Sequence, residues 1–272
     1  MTVVMEKIPA DLPPRFEFTA VFRERVEYER RYQLPFNMIG VCTAENPENP
    51  SETTNLHDGS RYVWKLNDIC FTPCGTAQYY RYTPANEHLA IHFRLEIIPG
   101  IDVFSGVPPR RMMFNDPALA DEARAIFADT SDTLRTLARC QAFALKICEK
   151  FWPESYSFSL AAARRFAPVL RHVRENVHAE MAVGELARML NCSEGHFSRG
   201  FHAAFNCSPK TFLQKELFAR ASLALLRPAA SVKEIAAELR FSSEFNFSRF
   251  FKRLSGISPH NYQKARAYQK MI

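Results

Sequence analysis

A repeat near the C-terminus constrains the fold of this chain more than any other feature. Residues 183–209 read VGELARMLNCSEGHFSRGFHAAFNCSP, and residues 232–259 read VKEIAAELRFSSEFNFSRFFKRLSGISP. Their first parts match at an offset of 49 residues and their second parts, from the shared Phe-Ser-Arg onward, at an offset of 50. The second copy therefore carries one extra residue in its middle, where a turn is expected. Such agreement indicates one helical unit present twice.

Each copy predicts a short helix, a tight turn and a second helix. In the first copy Leu186 and Leu190 form the inner face of the short helix. Asn191 suits the left-handed backbone of a tight turn, and Ser193 is a good N-cap for the helix that follows. That helix places Phe197, Phe201 and Phe205 on one buried stripe, since these residues are four apart.

A second stripe of each of these helices is predicted to face outward. In the first copy it holds Gly195, Ser198, Arg199 and His202, and in the second copy it holds Phe245, Ser248, Arg249 and Lys252. A helix-turn-helix unit whose second helix presents arginine outward is the arrangement that enters a DNA major groove. One long helix over 209–227 separates the copies. A spacer of that length is suited to holding two reading helices about one DNA turn, roughly 34 Å, apart.

Charge is distributed unevenly along the chain. Residues 160–272 contain 18 Lys and Arg against 8 Asp and Glu, whereas residues 1–159 contain 17 against 21. A basic C-terminal half favours a polyanionic partner, although a basic surface also promotes solubility. Together with the two copies in register, this distribution indicates double-stranded DNA.

The N-terminal half predicts short strands rather than helices. They are rich in aromatic and β-branched residues and are separated by turn signals such as Asp58-Gly59. The six predicted strands are Phe16–Phe22, Phe36–Cys42, Tyr62–Lys65, Ile69–Thr72, Gln78–Tyr82 and Leu89–Leu95. This pattern is typical of a jelly-roll sandwich or barrel, so the predicted fold class is α+β multidomain: a β-barrel with two helices, then an all-α domain.

Two amphipathic helices are predicted over 116–152. Asp116-Pro117 starts the first, and the second is predicted to place Leu134, Leu137, Ala138, Leu145 and Cys148 on one side. These helices either cover the barrel or pair with their copies in a second subunit, and a homodimer is the favoured reading. The predicted domains are 1–152 and 165–272, with a linker at 153–164 whose clearest part is 153–159.

Other features predict a cytoplasmic protein without a cofactor. The N-terminus has no long apolar run, no stretch reaches the roughly 18 apolar residues that span a bilayer, and seven scattered cysteines fit a reducing compartment. Cys70 and Cys74 form one C-x3-C without a second pair at zinc-ligand spacing, so buried thiols are favoured over a metal site.

The repeat closely resembles the AraC/XylS family of bacterial transcription regulators. The family's second unit typically reads s-v-x-e-I-A-x-x-x-G-F-s-s-x-s-x-F-s-R-x-F-K-x-x-x-G-x-S-P-x-x-Y, and residues 231–262 read SVKEIAAELRFSSEFNFSRFFKRLSGISPHNY. The match covers about residues 165–268. It departs at Arg240, where the family usually has Gly. A left-handed backbone there costs Arg about 1 kcal/mol or more relative to Gly.

The resemblance implies which side chains contact DNA. Gly195, Ser198 and Arg199 fall where family members touch base edges. In the second unit those places fall on Glu244, Phe245, Ser248 and Arg249. Arginine binds guanine bidentately, glutamate accepts from cytosine N4, and phenylalanine packs on a thymine methyl. His202 and Lys252 are better placed for phosphates, and Arg249 has the alternative role of a phosphate anchor.

Residues 32–41 and 58–93 resemble the family's cupin-like effector domain less sharply. Asn67 replaces the Gly of the family's Gly-Asp turn, and Gln78 stands where His is common. The resemblance makes Gln78 and Tyr80 candidate effector contacts, with Tyr62 and Trp64 as stacking platforms. The alternative for each aromatic residue is ordinary barrel core.

The resulting expectation is a dimeric transcription regulator that is not an enzyme. The resemblance implies an activator that works with RNA polymerase and responds to a sugar-like small molecule in the barrel. The effector is expected to change how the helices at 116–152 or the N-terminal arm pack. Two alternatives stay open: a regulator without a small-molecule effector, and a metal-dependent cupin enzyme. His57, His88 and His92 do not supply the His-x-His spacing of such an enzyme.

Overall fold

The structure is a computed structural model. It describes residues 15–25, 27–98, 100–105, 112–152, 160–227, 229–267 and 270–271. The expected N-terminal arm and the clearest part of the predicted linker, 153–159, lie outside these ranges.

Two antiparallel sheets form the N-terminal half, as the α+β prediction requires. In spatial order, the larger sheet contains β10 (Met112–Asn115), β6 (Asp68–Thr72), β3 (Asn37–Ala44), β8 (Glu87–Ile98), β1 (Arg15–Glu24) and β11 (Lys270–Met271), with β9 (Ile101–Asp102) paired to β8. The smaller sheet has the order β2 (Tyr28–Gln33), β7 (Ala77–Tyr82), β4 (Glu52–Asn55) and β5 (Arg61–Val63). All six predicted strands are present. The five others were not predicted, because they are either charged, as in YERRYQ, or only two to four residues long.

Helices α1 (Pro117–Ala128) and α2 (Thr133–Lys150) cover one face of the larger sheet. Asp116 caps α1 by accepting a hydrogen bond from the backbone N–H of Leu119, and Asp132 caps α2 in the same way. Ile126 and Phe143 are buried against sheet residues such as Ile91. Covering the sheet is therefore one role of these helices.

The structure divides the apolar side predicted for α2, since Cys148 is buried and Leu137 half-buried while the other three residues are exposed. Leu134 is 81% exposed, and Ala138 and Leu145 are exposed on the same stripe. The buried side contains Cys140, Phe143, Ala144, Ile147 and Cys148. Two apolar stripes run along this helix, and the stripe that contains Phe143 packs on the sheet.

The other face of the larger sheet packs on the smaller sheet around Trp64. The indole stands over Gly40 of β3, where a Cβ atom would lie 3.0 Å from the ring. A Cβ atom here would require the indole to shift by a few tenths of an ångström, so glycine is favoured at this close approach. Around Trp64 lie the buried side chains of Met38, Cys42, Cys70, Tyr80 and Tyr82. We call the space between the two sheets the inner gap.

The C-terminal half is helical. Its elements are α3 (Leu160–Asn176), α4 (Val183–Met189), α5 (Glu194–Phe205), α6 (Pro209–Ala224), α7 (Val232–Glu238), α8 (Glu244–Ser255) and α9 (Pro259–Ala267). Helix α3 already begins inside the predicted linker. Strand β11 corrects the prediction that the chain stays helical to its end, since Met271 pairs with Phe22 of β1. Helix α6 is 16 residues long, or about 24 Å.

The two halves share a buried contact. Leu34, Phe36 and Ile98 from the β-rich half belong to the same core cluster as the helical half, including Phe212 and Phe218 of α6. None of the helices in the described ranges is long and apolar enough to cross a membrane.

Candidate nucleic-acid interface

Helices α4 and α5 form the first helix-turn-helix unit. Leu186 of α4 is buried with Phe197 and Phe201 of α5, as predicted. The turn places Asn191 in the left-handed region with φ +51°, which asparagine tolerates. Ser193 then caps α5 by accepting from the N–H of His196. Residues of the turn itself therefore set the point at which α5 begins.

The outward stripe of α5 is open to solvent. Gly195, Arg199 and His202 are exposed and Ser198 is half-buried. A guanidinium nitrogen of Arg199 lies 3.5 Å from where a Cβ of Gly195 would stand, so the arginine extends along the helix over the glycine. The same stripe lines a shallow groove with the start of α6, including Ser208 and Lys210.

Helices α7 and α8 form the second unit, and the start of α7 is better capped than the start of α4. Ser231 accepts from the N–H of Glu234, and the Glu234 carboxylate accepts from the N–H of Ser231, which together make a capping box. These hydrogen bonds lower the pKa of Glu234. Arg240 has φ +55°, so the non-glycine residue noted in the sequence is left-handed. Ser243 caps α8, and Gly256 ends it at φ +84°.

The outward stripe of α8 carries larger side chains than that of α5. Phe245 is 71% exposed although it is aromatic. Glu244, Arg249 and Lys252 are exposed, and Ser248 is half-buried. Phe247 and Phe251 on the opposite side are fully buried. All nine residues predicted to contact DNA therefore lie at the surface on the two helices; their roles as contacts stay predictions.

Sequence reasoning missed neighbouring cationic groups. Lys210 lies in the same groove as His202, and Arg165 of α3 lies 3.1 Å from the His196 ring at the start of α5. The signals available were the lysine directly after Ser208-Pro209 and the Arg164-Arg165 pair. Both groups extend the basic surface around α5.

The predicted effector contacts lie in or beside the inner gap. Trp64, Gln78 and Tyr80 are almost fully buried, while Tyr62 is half-buried and donates to Asp68 at 2.9 Å. The Trp64 indole donates to the hydroxyl of Thr53 at 2.8 Å. The rings of Trp64 and Tyr80 are part of the core between the sheets, which was the alternative reading of the sequence. A role in ligand binding stays a prediction.

His88 is a further polar side chain in this gap, and sequence reasoning gave it no role there. Its ring stacks on Tyr82 with centroids 4.2 Å apart and meets Trp64 edge-on at 4.9 Å. Burial lowers the pKa of His88 to about 3, so the ring is neutral. Neither its nitrogens nor the amide atoms of Gln78 have a hydrogen-bond partner in the described part of the chain.

The chain therefore combines a β-sandwich with a double helix-turn-helix module, and this combination defines its class of protein. Residues 186–265 match the family model described as a helix-turn-helix domain. This module is of the AraC type, in agreement with the resemblance of the repeat.

Curated relatives match over part of the chain. The raffinose operon regulatory protein RafR of Pediococcus pentosaceus is 28% identical over 112 residues, which cover 41% of this chain and 40% of RafR. The Msm operon regulatory protein of Streptococcus mutans is 27% identical over 99 residues, covering 35% and 36%. The matches thus span well under half the length of these relatives.

A solved structure resembles the whole fold. ToxT of Vibrio cholerae, in the apo form of a variant with a single substitution, has a TM-score of 0.60 with 9% identity and covers 92% of this chain and 96% of ToxT. Another ToxT structure, with a TM-score of 0.57 and 9% identity over 95% of this chain and 97% of ToxT, has an unsaturated fatty acid bound. At such identity the resemblance supports the two-part architecture alone.

Proposed function

We propose that this protein is a sequence-specific DNA-binding transcription regulator that acts in the cytoplasm. The observation that carries the proposal is the pair of helix-turn-helix units, each exposing an arginine, Arg199 or Arg249, from a helix whose other side is buried. A basic half-chain adds electrostatic attraction to phosphates. Curated relatives with operon-regulator names match part of this chain.

Base reading is assigned to the outward side chains of α5 and α8. Arg199 and Arg249 are suited to bidentate contact with guanine, Glu244 to cytosine N4, and Phe245 to a thymine methyl. Gly195 and Ser198 offer few contacts, so discrimination by the first unit depends mainly on Arg199. Ser248 adds a small hydroxyl, and His202 and Lys252 are assigned to phosphates.

Selection from random DNA with the purified full chain tests this proposal. We expect enrichment of one motif, bound about 10³-fold or more tightly than random DNA at the same salt concentration. Sequencing the fragments that the protein retains from genomic DNA would then identify operators. Equal affinity for selected and random fragments would contradict sequence-specific regulation.

We assign dimer formation to α2. Leu134, Ala138 and Leu145 make an apolar stripe on the exposed side of this helix, suited to a second copy of the same helix. Sedimentation should show a dimer that becomes a monomer in Leu134→Asp. Thr133→Asp, on the preceding exposed residue, is the control. Two tethered DNA modules would bind paired half-sites by avidity, as expected of an activator that contacts RNA polymerase.

We place a sugar-like effector in the inner gap. Gln78 supplies a buried donor and acceptor, His88 a neutral imidazole, and Trp64 a ring face, which are the groups that bind hydroxyl-rich ligands. Tyr80 and Tyr62 flank them. Calorimetry against a panel of sugars should give a binding isotherm that Gln78→Met abolishes, while Gln141→Met on α2 leaves it unchanged. If no sugar in the panel gives a heat of binding, the alternative of a regulator without an effector is favoured.

A second effector class is favoured by a cavity of about 210 Å³ between the two halves. Its walls include the apolar side chains of Leu34, Phe218 and Leu254, with Arg94 and Lys215 at the same cavity. The Nε of Arg94 has no hydrogen-bond partner among the described residues. Such a cavity suits a small apolar carboxylic acid, and the same calorimetry with medium-chain fatty acids tests it.

The metal-dependent enzyme is the remaining alternative. Within the described ranges, no three His, Cys, Asp or Glu side chains form a metal-binding group. Cys70 is buried beside Thr72 in the sheet, 3.5 Å from its hydroxyl. Metal analysis of the purified protein checks this reading, since a stoichiometric transition metal would support an enzyme.

A further inference from the structure

A buried ion pair joins the β-rich half to the helical half. A guanidinium nitrogen of Arg94, on β8, lies 2.6 Å from a carboxylate oxygen of Glu216, on α6. The side chains are only 9% and 5% exposed. The same nitrogen lies 2.9 Å from Glu96 of β8, and Arg174 of α3 lies 4.0 Å from the other oxygen of Glu96. Water screens such a contact far less than a surface pair.

Glu216 lies on α6 between the cores of the two helix-turn-helix units. Towards one end of α6, the ring of Phe212 lies 5.4 Å from Phe201 of α5. Towards the other end, the ring of Phe218 lies 5.2 Å from Phe251 of α8. Since α6 packs on both reading helices, a force applied at Glu216 reaches both of them.

Arg94 lies on the strand that borders the inner gap. Side chains two residues apart on a strand share a face, so Arg94 continues the face that carries His88. Arg94 lies six positions along the strand from His88, a distance of about 20 Å. Next to this strand, Gly100 packs so closely on Phe212 that a Cβ atom would lie 2.8 Å from the ring. Strand β8 therefore joins the proposed effector site to α6.

We propose that the Arg94–Glu216 ion pair is the coupling contact that sets the orientation of the two reading helices relative to the N-terminal half. The proposal rests on the proposed function. It makes Arg94 and Glu216 positioning residues rather than DNA contacts, because both are buried away from the outward stripes of α5 and α8. A ligand that moves β8, or that enters the adjoining cavity, acts on DNA binding through this pair.

The two partners are not equivalent. Removal of Arg94 leaves the carboxylates of Glu96 and Glu216 facing each other without a cation between them, which favours separation of the two halves. Removal of Glu216 leaves the Arg94–Glu96 pair intact inside the β-rich half. Exchange of the charges, with Arg94→Glu and Glu216→Arg together, restores an attractive pair.

Hydrogen exchange and small-angle scattering on the full chain test the coupling. In Arg94→Met we expect a larger radius of gyration and faster exchange of amides in α6 and β8. Glu216→Met should show the same change more weakly, and the exchanged pair should return towards wild type. Lys146→Met is the matched control, because Lys146 forms an exposed ion pair with Glu122 within the β-rich half. If both single variants have the hydrogen-exchange rates and the radius of gyration of the wild type, the proposal is overturned.

DNA binding gives the second readout. Affinity for the selected motif should fall about tenfold or more in Arg94→Met, within the usual range of coupling between sites, and less than about twofold in Lys146→Met. Affinity for random DNA should change little in either variant. Separated halves with unchanged affinity for the motif would contradict coupling. If wild-type protein binds no DNA, the proposed function fails, whereas exchange and scattering still decide whether the pair holds the halves together.

Discussion

The two helix-turn-helix units share a core but differ in how they are held and in what they expose. Each buries two phenylalanines of its second helix, Phe197 and Phe201 in one unit and Phe247 and Phe251 in the other. The first unit begins at Ala182, which has no side-chain oxygen to cap α4, whereas the second begins with a full capping box at Ser231. The two units therefore share the packing of their cores and differ in how their first helices are capped.

The outward sides differ more than the cores. Helix α5 offers Gly195, Ser198 and one arginine, while α8 adds an exposed carboxylate and an exposed aromatic ring at Glu244 and Phe245. Substitutions on the outward side cost little packing energy, so the two units are free to differ there. We infer that the second unit contributes more to base discrimination than the first.

The largest expected effect concerns the cores. Phe201→Ala and Phe251→Ala should each lower the free energy of unfolding by about 3–5 kcal/mol, since both rings are fully buried. Denaturant titration followed by circular dichroism measures this loss. Phe245→Ala, at an exposed ring, should change it by about 0.5 kcal/mol or less. A loss below about 1 kcal/mol at only one of the two buried positions would break the equivalence of the cores.

An intermediate effect is expected on DNA binding. Arg199→Ala and Arg249→Ala should each weaken binding to the selected motif by about 1–3 kcal/mol. Arg199→Ala should remove most discrimination at its half of the motif, whereas Arg249→Ala leaves Glu244 and Phe245 in place. Competition with single-base variants of the motif measures this difference. Arg253→Ala, on the α8 side that packs over Phe250, is the control. Equal losses on selected and random DNA would show that the arginines bind phosphates only.

The smallest effect concerns the two turns. Arg240→Gly should raise the free energy of unfolding by about 1 kcal/mol, because Arg240 has a left-handed backbone that glycine adopts without a Cβ clash. Asn191→Gly should gain less, since asparagine already tolerates this region. Thermal unfolding of the two variants checks the order. A destabilised Arg240→Gly would show that the contact of Arg240 with His178 outweighs the strain.

Local chemistry made much of the helical half predictable from sequence. Ser193 caps α5 as expected, and Asn191 and Arg240 adopt the left-handed backbone in the two turns. Each of these features depends on residues a few positions apart. The same holds for Asn67, which has φ +68° in the turn where the family usually has glycine.

Contacts between distant residues were not predictable. Strand β11 pairs with β1 across almost the whole chain, and the Arg94–Glu216 pair joins residues 122 positions apart. The stripe of α2 that packs on the sheet was not predicted, because both stripes are apolar and only the position of the sheet distinguishes them. Among the described residues, the polar atoms of Gln78 and His88 lack hydrogen-bond partners, and this follows only from how the two sheets face each other.

Hydroxyl-radical footprinting of the full chain on its selected DNA tests the central claim most directly. Two reading helices on one module predict two protected patches on the same face of the duplex, about 10 base pairs apart, for each bound chain. Arg249→Ala should weaken one patch, and Arg199→Ala the other. A single protected patch that both substitutions weaken equally would contradict the account that both units read DNA.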